Sequence, residues 1–296
     1  TIGGTMMDIM QPAMQFEAGA CCQNRCLTGI QPQADLTTLS SLQARMQPIP
    51  ANYAAWWMCL LPVAAMKQAG LPMPFFIKMD DVEYALQIKE QVVMMTGVCV
   101  RHENFHLKYA PWNEYYITRN GCITYALHGQ AKNALAVTLE LWRTLLHLLF
   151  LHRYDTAKFV LQGYRDFLRG WKWLQKTDAI TLHRQILQQQ QAATEQFQTD
   201  CTEVPDSIPQ VSFFEATRAA VQKQKSVFLF HPFTKKGFYA NRKKGTAFQL
   251  LLKMGGISLR MLTTYRSVVQ GFQKNRTILC EDAAWNRRNQ HNSEEK

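Results

Sequence analysis

The sequence lacks most of the patterns that mark a secreted, metal-organised or membrane-spanning protein. Its eight cysteines include no C-x-x-C pair. Cys21, Cys22 and Cys26 cluster, but no second pair at ligand spacing follows, so a structural zinc site is not expected. Scattered thiols without a disulfide framework fit a reducing compartment, and the expectation is a cytoplasmic protein. No signal-peptide pattern is visible. The most apolar stretch, ALAVTLELWRTLLHLLFL from Ala134 to Leu151, is interrupted by Glu140, Arg143 and His147. Their roughly helical spacing predicts an amphipathic or mostly buried helix, not a membrane span. No internal repeat is present.

Basic residues are scarce in one half only. Residues 1–125 hold 8 Lys+Arg against 9 Asp+Glu, and residues 126–296 hold 25 against 13, so −1 and +12 sum to the net +11. A basic half of this kind can face nucleic acid or an anionic membrane surface. Apolar residues make up 47% of the 296, enough for one large domain or two smaller ones. The opening TIGGTMMDIM reads as the inside of a domain, and the expectation is a fragment whose N-terminal part is absent.

Along the chain, QFEAGA predicts a strand end or loop carrying Glu17, and residues 31–52 predict a connecting loop. AWWMCLLP, with Trp56 and Trp57, predicts a short buried strand. VAAMKQAG predicts a helix ended by Gly70. Pro72 and Pro74 keep LPMPFFIKMDD extended. VEYALQIKEQVVMM predicts a helix N-capped by Asp80 or Asp81. TGVCVRH predicts a short strand ending at His102. From Tyr115 to about residue 200 the pattern is helical. Residues 200–212, with Pro205 and Pro209, predict a linker. A basic turn, TKKGFYANRKKG, precedes an apolar-basic stretch, and the polar tail from Arg287 is expected to be disordered.

The chemistry concentrates at Asp80-Asp81-x-Glu83. A helix N-terminus explains one acidic residue, because a carboxylate there accepts free N–H groups and suits the helix dipole. Three in four positions repel one another. Proteins tolerate such crowding where a metal, a base or a hydroxylated substrate needs it. The Trp pair is either core or, because strand neighbours face opposite ways, one core ring and one sugar platform. His102 is either a satisfied structural imidazole or a ligand at a strand end.

FIKMDDVEYALQ, then GVCVRHENFHLKY, then EYYITRN, together with IGGTMMDIMQPAMQFEAGA upstream and YRDFLRGWKWL downstream, resembles family 2 glycosyltransferases. The resemblance is to the galactofuranosyltransferase-like branch and covers roughly residues 2–183. It implies an α/β fold: the C-terminal, acceptor-side part of a GT-A-type, Rossmann-like domain over 1–125, followed by a mainly α-helical domain over 126–296. It implies an inverting transferase that uses a UDP-sugar donor, a glycan or lipid-linked glycan acceptor and a divalent cation, Mn2+ or Mg2+. By this resemblance Asp81 is the general base and His102 a metal ligand. Asp80 and Glu83 hold acceptor hydroxyls or fix the loop, and Trp56 and Trp57 line the acceptor site. Lys78, Arg119 and Glu17 contact phosphate or sugar. The family's D-x-D is missing from the chain, and Met79 and Arg101 stand where aromatic residues are common. Competing expectations are a rhamnosyltransferase of the same family and a basic helical module binding nucleic acid or membrane. For the last, Lys235, Lys236, Arg242, Lys243 and Lys244 flank Phe233, Phe238 and Tyr239. They set the expectation of an enzyme lying peripherally on the inner face of the plasma membrane.

Overall fold

The computed structural model describes residues 1–23, 25–30, 34–46, 51–130, 133–281 and 285, with the side chains of residues 96 and 106 set aside. The chain forms two compact units. One is built from residues 1–108, 124–131 and 273–296, the other from 109–123 and 132–272.

The first unit is organised around strand β1 (Ile2–Asp8). Its strand neighbours in sequence are β2 (Met14–Glu17), β3 (Ala20–Gln23), β4 (Cys26–Gly29) and β5 (Ala34–Asp35). Further on come β6 (Cys59–Leu60) and β7 (Val93–His102). Strand β1 pairs in parallel with β7 and antiparallel with both β2 and β6, while β5 extends the sheet beyond β2. Strands β3 and β4 make a separate hairpin. The helices are α1 (Leu39–Arg45), α2 (Val63–Ala69) and α3 (Asp80–Ile88). Helix α4 (Asn113–Leu127) ends in this unit.

Gly3 and Gly4 explain how the Trp pair reaches the sheet. A Cβ on Gly3 would meet Ala54 Cβ at 2.6 Å, and one on Gly4 would meet Met58 Cγ at 2.4 Å. Only glycine lets the 54–58 segment lie this close, and Gly4 N–H donates to the Met58 carbonyl at 3.1 Å.

Several expectations change here. AWWMCLLP is not a buried strand: only Cys59–Leu60 pair with β1, and Leu60 is exposed. The segment packs through Ala54 and Ala55 and turns over the bare glycine backbone. Residues 31–52 are not all loop, because Thr38 caps α1 by accepting from Ser41 N–H. Helix α3 starts at Asp80 with Met79 as its N-cap, and it stops at Ile88 where Lys89 turns left-handed. Val93, Met94 and Met95 therefore join β7, in register with Ile2, Gly3 and Gly4. The gain of a parallel ladder on β1 overrides helical periodicity there.

In the second unit, helices α5 (Ala134–Phe150), α6 (Tyr154–Phe167), α7 (Trp171–Lys176) and α8 (Ala179–Gln191) follow the predicted helical pattern. The predicted linker is instead structured. Strands β8 (Thr199–Asp200) and β9 (Gln210–Ser212), helix α9 (Arg218–Val221), and strands β10 (Ser226–Phe230) and β11 (Lys236–Asn241) follow. The four strands form a sheet in the order β8-β11-β10-β9 over a core including Phe213, Val227, Leu229 and Phe238. This second unit is mainly helical with one sheet added, and its bounds differ from the expected 126–296, since residues 109–123 join it and 273–296 do not. Helix α10 (Lys244–Lys274) is the longest, and α11 (Arg276–Cys280) belongs to the first unit. The tail from Arg287 lies outside the described residues.

Candidate active site

The Asp80-Asp81 turn is presented by unusual backbone. Lys78 and Met79 have φ of 67° and 66°, two consecutive left-handed non-glycine residues. Each such conformation costs on the order of 1–3 kcal/mol and persists only where its surroundings enforce it. Buried Met79 anchors the turn from inside. The result places both aspartates in the first turn of α3 with no side-chain N-cap before them.

Around Asp81 the acidic groups converge. Tyr53 donates its hydroxyl to Asp81 Oδ2 at 2.6 Å, and Val82 N–H donates to Oδ1 at 2.8 Å. Glu17, at the end of β2, reaches toward the same place over Gly29, where an added Cβ would sit 2.9 Å from Glu17 Oε2. Burial, and then the Asp81 charge, push the Glu17 carboxyl up to about 7. Asp80 is also raised, by burial first and Asp81 second. Burial and then Asp81 hold the Tyr53 hydroxyl far above its ordinary value, so it stays a donor. Glu17, Asp80 and Asp81 thus share one partly desolvated, like-charged space.

Glu83 differs from its neighbours. It is fully buried, and its Oε1 accepts from His128 Nε2 at 2.9 Å and Arg276 Nη2 at 3.0 Å. This buried ion pair ties α3 to the end of α4 and the start of α11, which fits the loop-fixing half of its expectation.

The aromatic side is built on Phe105. Trp57 lies 5.9 Å from that ring and donates Nε1–H to the Gly4 carbonyl at 3.4 Å. Lys78 Nζ sits 5.4 Å above the same ring. Trp56 packs edge-on against Tyr84 at 5.8 Å and is 42% exposed, so the pair splits into one anchored and one presented ring. His102 ends β7 opposite Asp8, its ring 5.0 Å from Phe105 and its Nδ1 2.7 Å from the Glu103 carbonyl. An Nδ1–H donated to a carbonyl leaves the Nε2 lone pair as the ligating position, an arrangement common among metal-bound histidines. Among the described residues no three of His, Cys, Asp and Glu gather as a metal centre. Asp8 across the ladder already accepts from Met10 N, Gln11 N and Asn104 Nδ2. His102 therefore fits a cation as a single ligand only.

Arg119 is not part of this cluster. It belongs to the second unit and is 2% exposed. Its guanidinium stacks on Tyr115, Tyr116 and Trp173, and Nη1 donates to Tyr115 Oη. Tyr53, His128, Arg276 and Phe105 escaped the sequence reading. Tyr53, three residues before the Trp pair, and Phe105, three residues after His102, had a nearby signal.

No protein-family model matches the chain. Over 127 residues, 41% of this chain and 20% of the relative, it is 32% identical to galactofuranosyltransferase GlfT2 of Mycolicibacterium smegmatis. The chain is related to GlfT2. A second match, to GlfT2 of Mycobacterium tuberculosis, is 32% identical over 130 residues, again 41% of this chain and 20% of the relative. The chain spans about a fifth of the length of the GlfT2 proteins it matches. The galactofuranosyltransferase-like resemblance carried by the I-G-G, D-D-x-E and x-H motifs is borne out.

Proposed function

We propose that the chain carries the acceptor-side part of an inverting glycosyltransferase, with Asp81 as the general base. The observation that carries this reading is the Asp81 carboxylate itself: partly buried, oriented by Tyr53 at 2.6 Å, and set among two further acids beside a presented tryptophan. In the proposed step an acceptor hydroxyl gives its proton to Asp81 as its oxygen bonds to the anomeric carbon. The bond from that carbon to the diphosphate oxygen breaks, and the diphosphate leaves with the electron pair. The likeness to the galactofuranosyltransferase GlfT2 supports galactofuranose as the sugar, and the proposed reading adds a nucleoside diphosphate such as UDP as its carrier and a glycan as the acceptor.

Asp80 and Glu17 are the acids that would hold acceptor hydroxyls, and Trp56 offers a ring for sugar to stack on. A Glu17 carboxyl near 7 can donate or accept at neutral pH, which suits a hydroxylated ligand. Lys78 is a cation close enough to this group to act on the Asp80 carboxyl. A divalent cation would neutralise charge on the diphosphate, and His102 Nε2 is the ligand this chain offers it.

The test is transfer from UDP-galactofuranose to a galactofuranosyl acceptor, with Asp81→Asn beside wild type. The amide keeps the shape and cannot take the proton, so kcat should fall by about 10²–10⁴ with the fold retained. A folded variant that keeps more than about a tenth of the rate removes Asp81 from the role. A preference for a rhamnosyl donor would reassign the sugar and leave the base in place.

A further inference from the structure

Residues 273–281 and 285 bring the chain back to the first unit. Gln273 Nε2 donates to the Ala126 carbonyl at 2.9 Å, near the end of α4. Asn275, at φ −111° and ψ 16°, then breaks the helical path between α10 and α11. Helix α11 has only five residues, too few to persist alone, so the burial of Leu279 and Cys280 holds it. What this short segment grips in turn is the stretch that carries the aspartates. Upstream of them, Trp285 Nε1–H donates to the Pro72 carbonyl at 3.2 Å, and Cys280 Sγ–H donates to Met73 Sδ at 3.6 Å. Downstream, Arg276 Nη2 donates to Glu83 Oε1 at 3.0 Å. Between the two grips lie left-handed Lys78 and Met79, then Asp80 and Asp81.

Local sequence explains why the upstream side needs support from elsewhere. Pro72 and Pro74 have no N–H, so a strand ladder cannot pin this stretch through them. Carbonyls and side chains are left to do so. Trp285 takes the Pro72 carbonyl, and buried Cys280 meets buried Met73. Helix α3 has a second anchor, since Tyr84 and Gln87 donate to the Gly70 and Ala69 carbonyls. The C-terminal segment adds the hold on Pro72 and Met73. Consecutive left-handed non-glycine residues relax unless their flanks are fixed, and here one segment fixes both flanks.

We propose that α11 and Trp285 clamp the 72–83 segment and so position Asp81, with Arg276, Cys280 and Trp285 as positioning residues acting through Glu83, Met73 and Pro72. The inference rests on Asp81 as the base. The three contacts span 193, 207 and 213 residues of chain, so the catalytic turn is complete only once the C-terminal segment has docked. With the clamp open, Lys78 and Met79 leave the left-handed region, Asp81 shifts away from Glu17, and water enters between them. A displacement of about 1 Å at a reacting group costs roughly 100-fold in rate.

The experiment is a carbon-13 titration of the Glu17 carboxyl beside transfer kinetics, in the full chain carrying Cys280→Ala/Trp285→Phe. The phenyl ring keeps much of the indole's bulk without its N–H, and alanine lacks the thiol. The Glu17 midpoint should fall from about 7 toward 4.5. The kcat should drop roughly 10–100-fold with little change in KM. Thr38→Ala, which removes the α1 cap in the same unit, is the stability control. It should lower the urea midpoint and leave Glu17 and kcat in place. Arg276→Lys keeps the charge and should retain more activity, and a higher Glu17 midpoint, than Arg276→Gln. The titration needs neither donor nor acceptor. A Glu17 shift in a chain that transfers no sugar therefore keeps the clamp and removes the sugar-transfer reading. A Glu17 midpoint unmoved by Cys280→Ala/Trp285→Phe, or moved equally by Thr38→Ala, overturns the proposal. So does full kcat in the double variant of an active chain.

Discussion

Two sets of carboxylates in this chain are held in opposite ways. In the second unit, Asp155 accepts from Lys158 Nζ at 2.7 Å and from Thr194 N–H and Oγ1–H at 2.7 and 2.9 Å. Burial raises its carboxyl, but the Lys158 and Thr194 hydrogen bonds outweigh that and leave it below its ordinary value. Glu195 accepts from Asp155 N–H, Thr156 N–H and Thr156 Oγ1–H, and Asp166 accepts from Tyr115 and Arg165. In the first unit, Glu17 and Asp80 are raised, and beside each the second cause after burial is the Asp81 charge. Donors and cations hold the first set, lowering Asp155 although burial still raises Glu195, whereas burial and then the Asp81 charge raise Glu17 and Asp80. An arrangement that gains stability needs no other explanation, but one that gives stability up calls for a chemical one. Glu83 refines the contrast, because it sits beside Asp81 in sequence yet is held like the structural set.

Breaking the structural set should cost the most stability. Glu83→Gln removes one charge from a buried pair and leaves Arg276 and His128 facing an amide. The loss should be about 3–5 kcal/mol, read from urea midpoints. A loss under about 1 kcal/mol would place Glu83 with the reactive set instead.

Asp155→Asn should cost about 1–3 kcal/mol at neutral pH. The sign of its pH dependence is fixed by the direction of the shift. A carboxyl lowered in the folded state stabilises above its unfolded pKa, and that contribution is lost as pH falls through the folded value. The deficit of the variant should therefore shrink in acid. A deficit that is the same at every pH would show that shape, not charge, holds the site.

His102→Ala sharpens the reactive side. It should weaken manganese binding by roughly 10–100-fold or more, with activity partly restored at high manganese. An unchanged metal Kd with lost activity would make His102 a packing partner of Phe105.

How far the sequence reached follows the same division. Crowded acids after two prolines, a Trp pair and a strand-end histidine are local patterns, and the structure brings Glu17, Asp80 and Asp81 together with Trp56 nearby. Glu83 looks identical to its neighbours in sequence, because its partner Arg276 lies 193 residues away. Arg119 reads in the sequence as a phosphate or sugar contact, whereas in the fold the Tyr115, Tyr116 and Trp173 rings close on it. The 93–95 run reads as helix by periodicity and becomes strand only because β1 offers a parallel edge. Long-range packing decided each of these, and no short window contains it.

The central claim is that Glu17 and Asp81 press on each other, and a carboxyl titration of Glu17 by carbon-13 NMR measures that directly. In wild type the midpoint should lie at about 7. In Asp81→Asn it should move down, yet stay above 4.5 because burial is the larger cause. A raised carboxyl of this kind adds stability below its unfolded pKa, and that contribution is lost as pH rises through about 7, so the same variant should flatten this loss. A Glu17 midpoint at the ordinary glutamate value, or one unmoved by Asp81→Asn, would contradict the account.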